Sequence, residues 1–168
     1  TTIPQEKGET FLSNNCKCQF SSKQAALQEI SNFLRRFGDG VPEKNIKKAT
    51  KTMKGWHTYC DCNAKQKLTS IGKWENTDWY LYTVKHLATS EEMRGKGLGK
   101  KLTEEIVKDA FKHNCLVLAA DVTTTNIPSQ KIFERQQFEK VNSFCWEKGE
   151  KPADILHYVR IPPKGGVC

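Results

Sequence analysis

The sequence predicts a single mixed α/β domain, with a central sheet of about seven strands and helices on both faces. Three observations predict it. Hydrophobic spacing switches between alternation and helical periodicity several times along 168 residues, a length that suits one core and not two. Residues 97–113 carry Leu98, Leu102, Ile106, Ala110 and Phe111 on one stripe, with Lys and Glu opposite, which is the strongest helix signal in the chain. Residues 115–122 (CLVLAADV) then form a nearly continuous apolar run, as expected of a central strand covered on both faces.

The other elements follow in order. Residues 16–20 (CKCQF) alternate as a short strand, and residues 23–37 place Ala26, Leu27, Ile30, Phe33, Leu34 and Phe37 on one helical stripe. Gly38 and Gly40 stop that helix, and Pro42 opens another with a weak stripe of Ile46, Ala49 and Met53. Residues 55–62 (GWHTYCDC) read as a strand ending in a polar turn at Asn63 to Gln66. Residues 68–75 and 79–89 are two more strands, joined by a turn at Asn76 to Asp78 and paired antiparallel. After the central helix and strand, Asn126 and Pro128 open a helix running to Gln137. Strands at 140–148 and 153–161 precede a Pro/Gly tail.

Composition narrows the class. Apolar residues make up 37% and charged residues 27%, which excludes a disordered or collagen-like chain. No run approaches the roughly 20 apolar residues of a membrane span. Residues 1–15 lack a basic start followed by an apolar block, so no secretory leader is expected. Seven cysteines, an odd number, point to a reducing, cytoplasmic setting with mostly free thiols. The formal net charge of +8 suits a polyanionic partner: nucleic acid, an acidic surface or a phosphorylated cofactor.

The segment Arg94-Gly95-Lys96-Gly97-Leu98-Gly99 lies between a strand and the start of the best helix. Glycines there admit a ligand close to the backbone, and the first amides of a helix lack intrahelical partners. Together with the helix dipole they form an anion site. Arg94, Lys96, Lys100 and Lys101 surround it, and no acidic residue occurs from 94 to 101. A pyrophosphate fits this environment. The spacing is not that of a nucleoside-triphosphate loop, and the order Gly-x-Gly-x-Gly without a downstream ribose acid argues against a dinucleotide fingerprint.

Arg94-x-x-Gly97-x-Gly99 resembles the Gln/Arg-x-x-Gly-x-Gly/Ala signature of the GNAT superfamily of N-acetyltransferases. Leu87-Ala88-Thr89 stands where that family has its Leu-Ala-Val strand, and Asn126 follows the next strand where the family keeps an Asn. Ile132, Phe133 and Phe138 fall on the family's closing Leu-Tyr-x-x-x-Gly-Phe pattern, and the element order matches over about 150 residues. The resemblance implies acetyl-coenzyme A as cofactor and direct acetyl transfer to a primary amine on a small molecule or protein. It implies that Leu87, Ala88 and Thr89 meet the acetyl and pantetheine portion, mainly through backbone groups. Arg94, Gly95, Lys96, Gly97, Leu98, Gly99 and Lys100 would hold the pyrophosphate. Asn126 would contact the pantetheine or thiol end, with Phe133 lining the cofactor site. No covalent enzyme intermediate is needed, so no cysteine must be a nucleophile. A monomer or homodimer without membrane attachment is expected.

Two positions depart from the pattern. Phe133 replaces the Tyr that often protonates the leaving thiolate, leaving solvent, Tyr82 or Tyr158 as the acid, and Gln137 replaces the Gly of the Gly-Phe pair. A base is also required, because an alkyl ammonium cannot attack at neutral pH. Asp121 ends the apolar strand five residues before Asn126, where the ribosomal-protein alanine acetyltransferases carry an acidic base. Partial burial beside Val117 and Val122 is expected to make it more basic; the other reading of Asp121 is a turn or capping residue. Glu75, Asp78 and His86 are further candidates, with His86 expected on the opposite face from Thr83 and Lys85.

Two further features remain open. Cys16/Cys18 and Cys60/Cys62 would converge if their strands are neighbours, as a zinc site or disulfides, or would be ordinary core residues; no metal is assigned. The alternative functions are an inactive acyl-CoA sensor and a nucleic-acid module built on Trp74, Trp79, Tyr80 and Tyr82. The clustering of those aromatics away from the basic loop makes nucleic acid the weaker reading.

Overall fold

Ser22 opens the first helix in a computed structural model that describes residues 16–38, 43–44, 46–47, 57–146 and 153–162. Its hydroxyl accepts from the Ala25 amide at 3.1 Å, so α1 (Lys23–Phe37) starts where a capping residue meets the first apolar stripe. Ala26, Ile30, Phe33 and Leu34 are buried along it, and Gly38 follows its end. Residues 43, 44, 46 and 47 are helical, as the proline-led second helix predicts. Ala49 and Met53 of that stripe lie outside the described residues.

Among the described residues six strands form one sheet in the order β1-β2-β3-β4-β6-β5. They are β1 (His57–Cys62), β2 (Leu68–Asp78), β3 (Leu81–Thr89), β4 (Val117–Thr123), β5 (Glu139–Trp146) and β6 (Ala153–Arg160). The seventh expected strand, at 16–20, is represented by a single parallel bridge from Cys16 to Cys60 at the β1 edge. Among these six strands β3 and β4 are the pair that runs parallel, connected through a 3₁₀ turn at Glu91–Met93 and α2 (Leu98–Lys112). The last helix is α3 (Ile127–Arg135). The strand starting at 55 is described from His57 onward, and the end of the strand at 140–148 beyond Trp146 lies outside the described residues.

Alternation along the strands feeds two cores. On one face Trp74, Tyr82, Val84, Leu118, Ala120, Val122 and Tyr158 pack beneath Leu102, Ile106 and Ala110 of α2 and Phe133 of α3. On the other face Cys60, Leu68, Ile71 and Ala88 pack beneath Ile30, Phe33 and Leu34 of α1, with Ile46. The central strand is covered on the α2 side throughout, with Leu118, Ala120 and Val122 buried; on the other face Ala119 is buried and Asp121 is exposed. Each large apolar side chain removed from water contributes about 2 kcal/mol.

Two corrections concern turns and thiols. The β2–β3 turn falls at Trp79 and Tyr80, not at Asn76 to Asp78, because Trp79 adopts φ 49° and takes the tight corner. Asn76 and Asp78 instead pair with Tyr82 and Leu81. The cysteines are not mostly free: Cys16–Cys60 and Cys18–Cys62 are disulfides, while Cys115 and Cys145 are unpaired. An odd count argues only that one thiol is left over; the adjacent bridge at Cys16 and Cys60 decides which ones meet. Among the described residues no helix is long and apolar enough to cross a membrane.

Candidate active site

The parallel pair β3–β4 is short. It runs from Leu81 opposite Val117 to Val84 opposite Ala120 and stops there. Beyond that point β3 continues to Thr89, still paired to β2 through Ile71 and Ser70, while β4 continues to Thr123, still paired to β6. The two strands therefore diverge into an opening in the middle of the sheet. The β3 edge from Lys85 to Thr89 faces this opening with backbone groups that have no partner strand on that side. A bulge sharpens the divergence, since Ile71 opposes Ala88 and Lys73 opposes Lys85, leaving His86 and Leu87 against Gly72 alone.

The glycine loop stands beyond the end of β3. Gly95 and Gly97 both adopt φ 76°, the left-handed region that glycine enters without strain. Gly97 is the N-cap of α2, and no side chain caps the helix. The first intrahelical bond runs from the Lys101 amide to the Gly97 carbonyl at 3.0 Å, so the amides of Leu98, Gly99 and Lys100 lie before the helical ladder. Gly99 is needed for contact: a Cβ there would sit 3.1 Å from Ile132 Cδ1 of α3. Arg94, Lys96, Lys100 and Lys101 are exposed around these amides. Arg94 Nε donates to the Thr89 carbonyl at 3.4 Å and ties the loop to the strand end. Open space around Gly95 and Gly97, uncapped amides and four cations fit a diphosphate.

Of the other residues singled out for a cofactor, Leu87 packs against the α2-side core, and Ala88 is buried on the α1 side. Asn126 caps α3, accepting from the Ser129 amide at 3.2 Å through its side-chain oxygen. Phe133 is buried against Phe138 and Tyr158. Neither hydroxyl proposed in place of the family Tyr is free. Tyr82 donates to the His113 carbonyl, and Tyr158 donates to Glu134 at 2.9 Å. Burial, reinforced by Glu134, pushes the Tyr158 phenol up to about 12, too weak an acid for a leaving thiolate.

The face of the opening away from α2 carries the ionisable groups. Asp121 lies there, one residue past the last β3–β4 pair. Its carboxylate meets His157 Nδ1 of β6 at 2.5 Å, in direct register. The expected burial is corrected: alternation turns Asp121 away from Val122, and its side chain is 46% exposed. Sequence reasoning missed His157. Leu156 and Tyr158 on either side point into the core, so alternation fixes its face, but only the β4–β6 pairing brings it to Asp121.

Glu75 is placed differently. Its carboxylate receives Lys85 at 2.6 Å and Lys73 at 3.4 Å, with Lys73 almost wholly buried. Burial pulls the Glu75 carboxyl upward, and the hydrogen bond and charge of Lys85 with the charge of Lys73 outweigh it, leaving it below the ordinary range. A carboxylate held by two ammonium groups is a poor proton acceptor. Asp78 pairs with Leu81 at the end of β3 remote from the opening. His86 lies in the β3 bulge, and its side chain is outside the described part of the structure.

Trp74 and Tyr82 stack on each other inside the core at 4.6 Å, so they present no face to a nucleic-acid base; Trp79 and Tyr80 are exposed at the hairpin tip. Among the described residues no three His, Cys, Asp or Glu side chains are grouped to hold a metal ion.

Solved structures share this architecture. An acetyltransferase of Bacillus subtilis in complex with CoA superimposes with a TM-score of 0.66 at 13% identity, over 81% of this chain and 93% of that one. The ribosomal-protein-S18-alanine N-acetyltransferase of Escherichia coli gives 0.66 at 12% identity, over 83% and 91%. An N-acetyltransferase of Staphylococcus aureus gives 0.67 at 14%, over 85% and 96%. At these identities the likeness is one of fold. The family model described as Acetyltransferase (GNAT) family matches residues 50–138, more than half of the chain, and takes in the bulged strand, the glycine loop, α2 and α3. The chain belongs to the acetyltransferase (GNAT) family.

Proposed function

We propose that this chain is an acetyl-coenzyme A-dependent N-acetyltransferase acting on a primary amine by direct attack. The observation that carries this reading is the divergence of β3 and β4 after Val84 and Ala120, with the uncapped glycine N-terminus of α2 beyond the end of β3. The amides of Leu98, Gly99 and Lys100, with Arg94 and Lys96, hold the diphosphate. The β3 edge at Leu87 to Thr89 takes the amide-bearing arm of the cofactor as an added strand would. The structure of the Bacillus subtilis relative holds CoA, which supports the assignment.

When bound, the thioester supplies an activated acetyl carbon, and its C–S bond breaks as the C–N bond to the amine forms. The protein's part is orientation and proton removal. His157 donates Nδ1–H to Asp121, which fixes the tautomer and leaves Nε2 as the acceptor for the amine's proton. Asp121 holds the imidazole and stabilises it when charged. Asp121 therefore shares the base role expected of it with a neighbour. Phe133 has no proton to give and Tyr158 gives its own to Glu134, so a bound cofactor's leaving thiolate would take its proton from solvent.

The test is an acceptor screen following free thiol released from acetyl-coenzyme A. Amine-dependent release supports the reading. Saturable cofactor binding with no release for any amine would replace it with the acyl-CoA sensor. Oligonucleotide binding that weakens steeply with salt, without cofactor binding, would favour the nucleic-acid module.

A further inference from the structure

Lys85 and Asp121 occupy matching places on the two lips of the opening. Each is the first residue past the last β3–β4 pair, Val84 opposite Ala120. Both lie on the face away from α2, because Val84 and Ala120 point into the α2-side core. Continued pairing would set the ammonium and the carboxylate side by side on strands about 4.8 Å apart, as an ordinary cross-strand ion pair. The divergence prevents this. Among the described residues Lys85 pairs with Glu75 and Asp121 with His157, and not with each other.

Each partner stands behind its lip. Glu75 is on β2, on the side of Lys85 away from the opening; His157 is on β6, on the side of Asp121 away from it. Glu75 takes one of the three donors of the Lys85 ammonium and leaves the others for a ligand. Lys85 is 41% exposed and Asp121 46% exposed, so both reach solvent in the mouth. Facing lips of opposite charge, each braced from behind, complement a molecule that carries both charges.

We infer that the acceptor is a small zwitterion: a primary amine with a carboxylate or similar anionic group a few bonds away, of the amino-acid class. The amine lies at Asp121 and His157, and the anion is held by Lys85. This deepens the N-acetyltransferase reading and rests on it. An amine without an anion leaves Lys85 unanswered, and an internal lysine of a polypeptide, with no free acid beside its amine, is the wrong acceptor.

The experiment measures kcat/KM for thiol release from acetyl-coenzyme A with a panel of amino acids and with the matching amino-acid amides. The amides keep the amine, lose the anion and are intrinsically less protonated, so chemistry alone favours them. The expected result is at least one amino acid preferred over its amide by tenfold or more. Lys85→Met is expected to cut that ratio at least tenfold through KM for the acid, and Lys85→Arg to retain most of it, with melting confirming that both variants fold. Equal use of acids and amides, or an unchanged ratio in Lys85→Met, overturns the zwitterion assignment while leaving the acetyltransferase intact. No release with either series, together with none for simple alkyl amines, overturns the reading beneath it.

Discussion

The Asp121 carboxylate and the His157 imidazole meet across the β4–β6 pair at 2.5 Å, on the face of the sheet where the β3–β4 opening begins. This makes proton removal a property of a pair. Asp121→Asn keeps the shape but no longer holds the donor tautomer, and His157→Gln removes the accepting nitrogen. Each is expected to lower kcat roughly 10²-fold, the usual scale for losing a general base, with little change in acetyl-coenzyme A affinity. Because the residues act as a unit, the double variant should be scarcely worse than either single one. Steady-state kinetics beside calorimetry checks this; a loss under about threefold in both singles makes the pair structural.

The two disulfides should matter for stability. Cys16–Cys60 and Cys18–Cys62 each join residues 44 apart and fasten the segment before α1 to the β1 edge. Replacing Cys16 and Cys18 with Ser is expected to cost about 3–4 kcal/mol, most of it from the first crosslink lost, since both close nearly the same loop. Denaturant unfolding with and without a dithiol reductant measures this, and reduced wild type should match the variant.

Glu75 gives a pH-dependent stability. Its carboxyl is held below the ordinary range, so the folded state favours the ionised form. That contribution is fully present above the unfolded-state value near 4.5 and is lost as pH falls through the lower folded value. Glu75→Gln, which takes a carboxylate from buried Lys73 and from Lys85, should destabilise by about 1–3 kcal/mol at pH 7. The difference should shrink towards zero in strong acid, where wild type is protonated too. Urea melts across the pH range read the effect.

Much of this was legible in the sequence and some was not. The α1 stripe from Lys23 to Phe37, the amphipathic α2 and the apolar β4 run appear where their periodicities put them, because each pattern is local. The Arg94 to Gly99 loop was legible for the same reason: its glycines need left-handed backbone whatever surrounds them. His157 was not, because its meaning depends on β6 lying beside β4, a fact of strand order. The bracing of Lys85 by Glu75 depends likewise on β2–β3 register. The hairpin corner was misplaced because Trp79 takes a left-handed conformation that turn chemistry assigns to Gly or Asn.

Gln137 shows the same kind of cost. It adopts φ 67° between α3 and Phe138, at the position where the family pattern has Gly. Gln137→Gly relieves a left-handed side-chain conformation and should raise stability by about 0.5–1 kcal/mol, with activity unchanged. Thermal melting tests this, and a fall in stability would show that the Gln137 side chain is held by its surroundings.

The central claim is that the N-terminus of α2 receives the cofactor's diphosphate. Gly97→Asp tests it most directly, because its effects on fold and on binding should separate. A Cβ at Gly97 meets nothing within 4 Å, so the cost of the change is confined to a left-handed φ of 76°, which aspartate tolerates better than most residues. The melting temperature should therefore fall by only a few degrees, from the strain at φ 76°, while the new carboxylate occupies the anion site and repels a diphosphate. Calorimetric titration with acetyl-coenzyme A should show saturable one-to-one binding to wild type and a loss of at least 100-fold in affinity for the variant, roughly 2.7 kcal/mol. Equal affinity in the two proteins would contradict the account.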